Sequence, residues 1–408
     1  MAIKKVIAVV FGGRSVEHDV SVLTGLQFLE ALDPAIYEGL PVYVDPLGQW
    51  WTGDALAARS LYPLEPGNEK GLIQLTLDLA TPAGSGPRFL TSQRGLIGEK
   101  RGEIAFDLIV PAIHGSNGED GTLQGLLDFA GIPYAGCRTL GAAATMNKVF
   151  AKKVARADGI NVLPELVLTR PEKGKFVDPE ALKASLASAF GDISYPYIVK
   201  PCNLGSSVGV GKADNIDELV AALMTAFRLD NEALIEPFVA NLSEYNVAVR
   251  RGEDGLVLTS AIERPLREAD LLDFKNKYLA GGTPGGPKLE SGSSEGMVSL
   301  NRELNPEELS KAQTDFIRSS AGQIFDLMSL AGSVRVDFLC NSKTGELWLN
   351  EVNTVPGSFA YFLWEAATDP LSFLALTTAI IEEGFALSAG RLGATDANTG
   401  GATLFARA

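Results

Sequence analysis

The sequence predicts an α/β protein made of several α+β subdomains and opening on a parallel-sheet domain. Three observations carry this. Lys4 to Phe11, KKVIAVVF, and Phe106 to Ile113, FDLIVPAI, are continuous apolar runs of the kind buried on both faces of a parallel sheet. Each runs into a glycine turn and then a helical pattern, Glu17 to Leu32 after the first and Thr122 to Phe129 after the second, the order of a Rossmann-like unit. At 408 residues the chain also exceeds what one hydrophobic core usually serves.

Composition narrows the function classes before any motif is considered. Hydrophobic residues make up 46% and charged residues 21%, no apolar run has the length of a membrane span, and Met1 to Lys5 lead directly into a strand without a signal-peptide pattern. A cytoplasmic protein with no membrane partner is expected. A net charge of -15 speaks against a nucleic-acid partner, whose binding rests on clustered Lys and Arg, so a phosphate-bearing ligand must be small and held in a local basic pocket. Cys137, Cys202 and Cys340 form no CxxC pair, which leaves buried thiols rather than a disulfide framework or a zinc site. With only His18 and His114 available, carboxylates, lysines and backbone groups must do the chemistry.

In chain order, the first strand ends at Gly12-Gly13-Arg14-Ser15 and delivers Glu17 to a helix N-terminus, where it serves either a polar ligand or the helix dipole. Tyr37 to Val44 reads as the next strand, and Trp50-Trp51 as an apolar patch beside the Asp45 to Gly48 turn. Between 63 and 104, around TPAGSGP, short strands or an irregular excursion are expected. The second buried run delivers the loop from His114 to Gly121, HGSNGEDG, to a strand end, where α/β proteins build sites. From Met146 an amphipathic helix with Lys148 near its start runs to Gly159; after a helix from Asp178 to Phe190, the strand Tyr197 to Pro201 carries Lys200 into the loop Cys202 to Val210. That loop offers N–H and hydroxyl groups to phosphates, but it is no P-loop, since GxxxxGK[ST] is absent, and a plain hairpin turn has the same pattern.

The stretch Val334 to Gly357, VRVDFLCNSKTGELWLNEVNTVPG, reads as a β-hairpin with strands Val334 to Cys340 and Glu346 to Val352. With Cys340 opposite Glu346, alternation puts Arg335, Asp337, Glu351 and Asn353 on one face. Three oxygen donors side by side suit a hard cation such as Mg2+, and with it phosphoryl transfer; the alternative is a solvated face on which Arg335 pairs with Glu351. Pro356 stiffens the exit, and Gly357 frees a backbone N–H for close approach to a ligand.

Taken together and in order, VVFGGRSVEHDVS, HGSNGEDGTLQG, MNKVFAK, VKPCNLGSSVGV, SEYNVAV, FKNKY, RVDFL and NEVNTVPGS resemble the D-alanine–D-alanine ligases of the ATP-grasp superfamily over nearly the whole chain. Most of these motifs are weak alone; their order is specific. The resemblance implies an ATP-grasp fold and an ADP-forming ligase that joins two D-alanines through an acyl phosphate for peptidoglycan precursor synthesis, using ATP and two Mg2+, or Mn2+ in their place. It implies a substrate-binding domain over 1–142, a central subdomain with the phosphate loop over 143–234, a catalytic subdomain with a lid over 235–388, a flexible tail over 389–408, and a homodimer.

Residue roles follow from the same resemblance. Glu17 would receive the ammonium of the first D-alanine, with Ser21 and His114 beside it. Lys148, Lys200 and Lys277 would contact the ATP phosphates, while Ser206 and Ser207 would form the closing loop. Glu236 would face the adenine amino group, Phe238 and Val239 would line the base pocket, and Glu244 would hold the ribose. Asp337, Glu351 and Asn353 would carry the metal, and Arg335 with the Gly357 N–H would stabilise the oxyanion. Tyr278, beside Lys277 on a lid, stands where D-alanine-specific relatives carry tyrosine and depsipeptide-forming ones tend to carry histidine.

Two departures stand out. Where the family usually has a serine that contacts the carboxylate of the second substrate, this chain has Phe362, so Ser358, Tyr361 or a lid residue takes over, or the second substrate differs. Between Tyr278 and Leu304 the Gly- and Ser-rich insertion AGGTPGGPKLESGSSEGMVSL suggests a mobile lid. The alternative function is an ATP-grasp ligase of another small amino or hydroxy acid in a secondary pathway.

Overall fold

Strand β1 (Lys5–Gly12) buries every side chain from Ile7 to Phe11 completely, as its unbroken apolar run requires. A computed structural model of the chain describes residues 3–64, 67–80, 86–94, 98–192, 194–266 and 302–396; Lys277, Tyr278 and nearly all of the 279–303 stretch lie outside them. Helix α1 (His18–Glu30) packs on β1, and β2 (Tyr37–Val44) runs parallel beside it. Then β3 (Trp50–Thr52), β4 (Ile73–Leu77), β5 (Arg88–Arg94) and β6 (Glu99–Ala105) add on antiparallel, and β7 (Leu108–Pro111) closes the far side parallel to β1. The sheet order is β6-β5-β4-β3-β2-β1-β7, so the expected parallel sheet is parallel only over β2-β1-β7, at one end. The 63–104 excursion is an antiparallel meander, and the Trp50-Trp51 patch is itself a strand.

Helices α2 (Thr122–Ala130), α3 (Thr139–Met146) and α4 (Lys148–Ala157) lead out of this sheet, and the Asn147 side chain caps α4 by accepting from the Phe150 N–H. The boundary expected at 142 falls inside α3. A second sheet follows, from β8 (Leu166–Thr169), α5 (Pro179–Phe190), β9 (Tyr197–Pro201), β10 (Gly211–Ala213), α6 (Ile216–Leu229) and β11 (Glu232–Pro237), in the antiparallel order β10-β9-β11-β8. Because β11 pairs along its length with β9, it belongs to this sheet, and the boundary expected at 234 cuts through it.

The third sheet, β14-β13-β12-β15-β16, comprises β12 (Leu242–Arg251), β13 (Val257–Pro265), β14 (Arg302–Leu304), β15 (Val334–Asn341) and β16 (Leu347–Asn353). Helix α7 (Lys311–Leu327), opened by a Ser310–Gln313 capping box, covers β12 and β13, while Ala151 and Ala155 of α4 enter the same core. The hairpin register differs from expectation by one residue, since Cys340 faces Leu347 rather than Glu346. That slip alone would turn Glu351 to the other face. A bulge at Asn350 shifts the pairing back, so that Asp337 faces Glu351 and Arg335 faces Asn353. The four side chains share a face because two departures cancel.

The chain ends in α8 (Tyr361–Glu365) and α9 (Phe373–Asp396), the latter continuing past 388 into the stretch expected to be a tail. Contrary to the composition reading, Phe373–Gly390 is long and apolar enough to cross a membrane by length and composition. One side of it packs into the core of the first sheet. Leu376, Ile380 and Ile381 pack with Ile7 and Val9 of β1, Glu382 accepts from the Tyr37 hydroxyl at 2.6 Å, and Glu383 accepts from the Gly332 N–H at 2.6 Å.

Candidate active site

The end of β1 brings Glu17 to the N-terminus of α1, 4% exposed. Sequence reasoning grouped Glu17, Ser21 and His114, and the structure brings them together: the Ser21 hydroxyl donates to the Glu17 carbonyl at 3.1 Å and accepts from the His114 N–H at 2.8 Å. His114 Nε2 and the Thr24 hydroxyl are hydrogen-bonded at 2.8 Å. Burial, with the Arg335 charge nearby, holds the imidazole at about 3, so it is neutral at physiological pH. The following Gly115 has φ +69°, and a Cβ there would lie 2.4 Å from Glu17 Oε2. Only glycine allows that approach.

Glu119, in the same loop, was not assigned a role from sequence. Its carboxylate accepts from the Gly115 N–H and the Val355 N–H, both at 2.8 Å, and so ties the histidine loop to the exit of the hairpin. Burial and the neighbouring Glu17 push it up to about 8, against the two N–H groups that favour its charged form. The only sequence signal for it was its place in a loop at a strand end.

A cleft of about 920 Å3, counting the space open to solvent, lies between the second and third sheets. Lys148, Lys200, Ser207, Phe238, Val239 and Glu244 line it, as do Asp337 and Glu351. Glu236 lines it too, but its carboxylate is not turned to a base: Lys200 approaches it at 2.6 Å and Lys152 pairs with it from the other side. Lys152, 1% exposed and held well below the ordinary lysine range by burial and by Lys200, was missed, although it stands one helical turn from Lys148. Lys200 also donates to Asn350, the bulged residue, at 3.1 Å.

A second cavity, of about 360 Å3, is lined by Gly115, Glu119, Gly205, Asn353 and Thr354. Lys148 and Glu351, 3.5 Å apart, line both cavities. The glycine-rich loop closes over this junction, its Ser206 hydroxyl donating to Glu17.

On the hairpin, Arg335 Nε and Nη2 fork onto Asp337 at 2.6 and 2.7 Å, and Asn353 Nδ2 donates to Asp337 at 3.1 Å. Among the described residues no group of three or more His, Cys, Asp or Glu is arranged to hold a metal ion. The donor set is instead two carboxylates and an amide oxygen, all hard, which fits Mg2+ with water and phosphate completing the shell. Beyond Gly357 the chain turns through Ser358, Phe359 and Ala360 with φ of 51°, 53° and 54°. Ser358, expected to reach a substrate carboxylate, is fully buried and donates to Gln27 of α1, while Tyr361 stacks on Phe373 at 4.3 Å.

The amino-terminal model of the D-ala D-ala ligases matches residues 6–137, and the C-terminus model matches residues 154–382. The chain belongs to the D-ala D-ala ligase family. Among the most similar relatives, D-alanine--D-alanine ligase A of Bradyrhizobium diazoefficiens is 35% identical over 362 residues, 88% of each chain. The D-alanine--D-alanine ligase of Ruminiclostridium cellulolyticum is 33% identical over 386 residues, 91% of this chain and 93% of its own. The fold is that of the D-alanine-D-alanine ligase from Coxiella burnetii, with TM-score 0.69 and 23% identity over 96% of this chain and 99% of the other. It is also that of the VanG D-Ala:D-Ser ligase from Enterococcus faecalis, with TM-score 0.68 and 24% identity over 94% and 100%. The ATP-grasp fold expected from the sequence is thus the fold observed, with its two antiparallel sheets flanking the larger cleft.

Proposed function

We propose that the protein is an ATP-dependent, ADP-forming D-alanine–D-alanine ligase that acts in peptidoglycan precursor synthesis. The observation that carries this reading is the junction at Lys148 and Glu351, where the lysine- and carboxylate-lined cleft meets the smaller cavity lined by Gly115, Glu119 and Gly205. Glu17 holds the ammonium of the first D-alanine and leaves its carboxylate facing the junction. A carboxylate oxygen attacks the γ-phosphorus, the bond to ADP breaks, and an acyl phosphate forms. Lys148 and Lys200 lower the repulsion between these anions. The amine of the second D-alanine then attacks the acyl carbon and loses a proton, and phosphate leaves with the electrons of the C–O bond.

Arg335, once its guanidinium leaves Asp337, and the Gly357 N–H serve the developing oxyanion, each contributing about 3 kcal/mol when well placed. Asp337, Glu351 and Asn353 would hold two Mg2+, whose contribution is to neutralise phosphate charge. Lys277 and Tyr278 complete the phosphate and lid contacts in this reading. The enzyme is proposed to work in the cytoplasm as a homodimer.

A second reading rests on one observation: Phe362 cannot hydrogen-bond a carboxylate, and Ser358 and Tyr361 are engaged elsewhere, so this end of the site departs from the usual family pattern and leaves room for another small amino or hydroxy acid as acceptor. Phosphate release from ATP, with products identified by mass spectrometry for D-alanine, D-serine and D-lactate in competition from pH 6 to 9, separates the two. D-alanyl-D-alanine as main product supports the first reading; depsipeptide or the mixed D-Ala–D-Ser product across the range supports the second.

A further inference from the structure

Leu349 and Val352 of β16 both enter the hydrophobic core, while Asn350 and Glu351 between them both line the larger cleft. Strict alternation along a strand would put only one of those two on the cleft face. The bulge makes room for the other, giving up ladder pairing to do so, and bulges beside sites commonly re-aim a side chain in this way. Asn350 is the residue it adds to the cleft.

There Asn350 meets a cation from the opposite wall. On β9, Tyr197 and Val199 enter the core of the second sheet, and Ile198 and Lys200 line the cleft. Leu234 of β11 stands opposite Lys200, which leaves Glu236, two residues on, within diagonal reach of a long side chain. The Lys200 ammonium accordingly has Glu236 at 2.6 Å on its own sheet and donates to Asn350 Oδ1 at 3.1 Å on the facing sheet. The bond to Asn350 spans the cleft.

The two partners act on the ammonium differently. Glu236 is a buried carboxylate, and full closure of Lys200 onto it would cancel the lysine's charge inside its own sheet. The Asn350 oxygen is neutral, so it draws the ammonium towards β16, where Glu351 and Lys148 mark the junction of the two cavities, without cancelling that charge. We infer that Asn350 is a positioning residue for the nucleotide: its amide oxygen holds Lys200 across the cleft, where the phosphates of ATP meet it, against the pull of Glu236. This rests on the ATP-dependent reading above.

The test reads binding rather than turnover. ADP and adenosine, which differ only in the phosphates, are titrated against the full chain in the presence of Mg2+ by ligand-detected NMR. In Asn350→Leu the bond across the cleft is lost, and the Kd for ADP rises roughly ten-fold while that for adenosine stays within about two-fold. Asn350→Asp pairs Lys200 with a second carboxylate and sets a negative charge beside Glu351, so the Kd for ADP rises roughly ten- to a hundred-fold, again with no matching loss for adenosine. The aspartate variant serves where the leucine variant does not fold. An equal loss for ADP and adenosine, or an unchanged affinity for ADP, overturns the role of Asn350 and leaves the ATP reading standing. A wild type that binds neither ligand overturns the ATP reading and this inference with it.

Discussion

Ser206 donates its hydroxyl hydrogen to Glu17 across 189 positions of sequence, which latches the glycine-rich loop after β9 onto the N-terminus of α1. A Cβ on Gly205 would lie 3.1 Å from Glu17 Oε2, so the loop backbone itself rests on that carboxylate. The residue proposed to hold the first amino acid therefore also holds the phosphate loop. Ser206→Ala removes a hydrogen bond to a charged group, about 1.5 to 3 kcal/mol, and should lower kcat/KM for both ATP and the first amino acid roughly ten- to a hundred-fold. Steady-state kinetics with each substrate varied checks this; a change below about two-fold in both would mean the latch does not matter to turnover.

Glu351 stands at the junction of the two cavities, 3.5 Å from Lys148. Glu351→Gln keeps the shape of the side chain and removes one negative charge from the proposed donor set, so ATP-dependent ligation should be nearly abolished while the thermal melt changes little. Retention of most of the turnover with unchanged Mg2+ dependence would remove Glu351 from that role.

Glu236 lies between Lys152 and Lys200, and the two possible deletions are not equivalent. Removing Lys152 leaves one complete pair, whereas Glu236→Gln leaves two lysines close together with no carboxylate between them. Breaking a buried pair by deleting one partner costs about 3 to 5 kcal/mol, so Glu236→Gln should sit near that range and Lys152→Met clearly below it. Urea denaturation of the two variants at neutral pH measures the order, and the reverse order would contradict this account.

Much of the fold was legible because period and punctuation were strong. Tyr37 to Val44 and Tyr197 to Pro201 are strands with the bounds read from sequence, and Asp178 caps α5 through the Glu180 N–H. What was not legible depended on partners distant in sequence. The hairpin register came out one residue off because nothing in Asn341 to Gly345 reveals that Cys340 meets Leu347, and nothing in the strands reveals the bulge at Asn350 that brings Asp337 back opposite Glu351. Glu119 and Lys152 were passed over because their significance lies in what they touch, Val355 and Glu236, rather than in their own spacing. Ser358 looked available because the sequence cannot show that a left-handed turn delivers its hydroxyl to Gln27.

His114 offers a test of the buried network beneath Glu17 that does not depend on turnover. Its imidazole is neutral in the fold, held at about 3 by burial and by Arg335, while in the unfolded chain it titrates near 6.5. Between those two values the unfolded state binds a proton that the folded state does not, so this residue makes stability fall as pH drops from 6.5 towards 3 and contributes no slope above that window. The loss should be on the order of 1 kcal/mol by pH 5.5 and grow by a similar amount per further unit. His114→Gln keeps a hydrogen-bonding side chain beside Thr24 but cannot titrate, so its stability should be lower at pH 7.5 and its acid slope shallower. Urea unfolding of both proteins at pH 7.5, 6.5 and 5.5 gives the difference; parallel curves for the two across that range would mean that His114 is protonated in the folded state or is not buried as described.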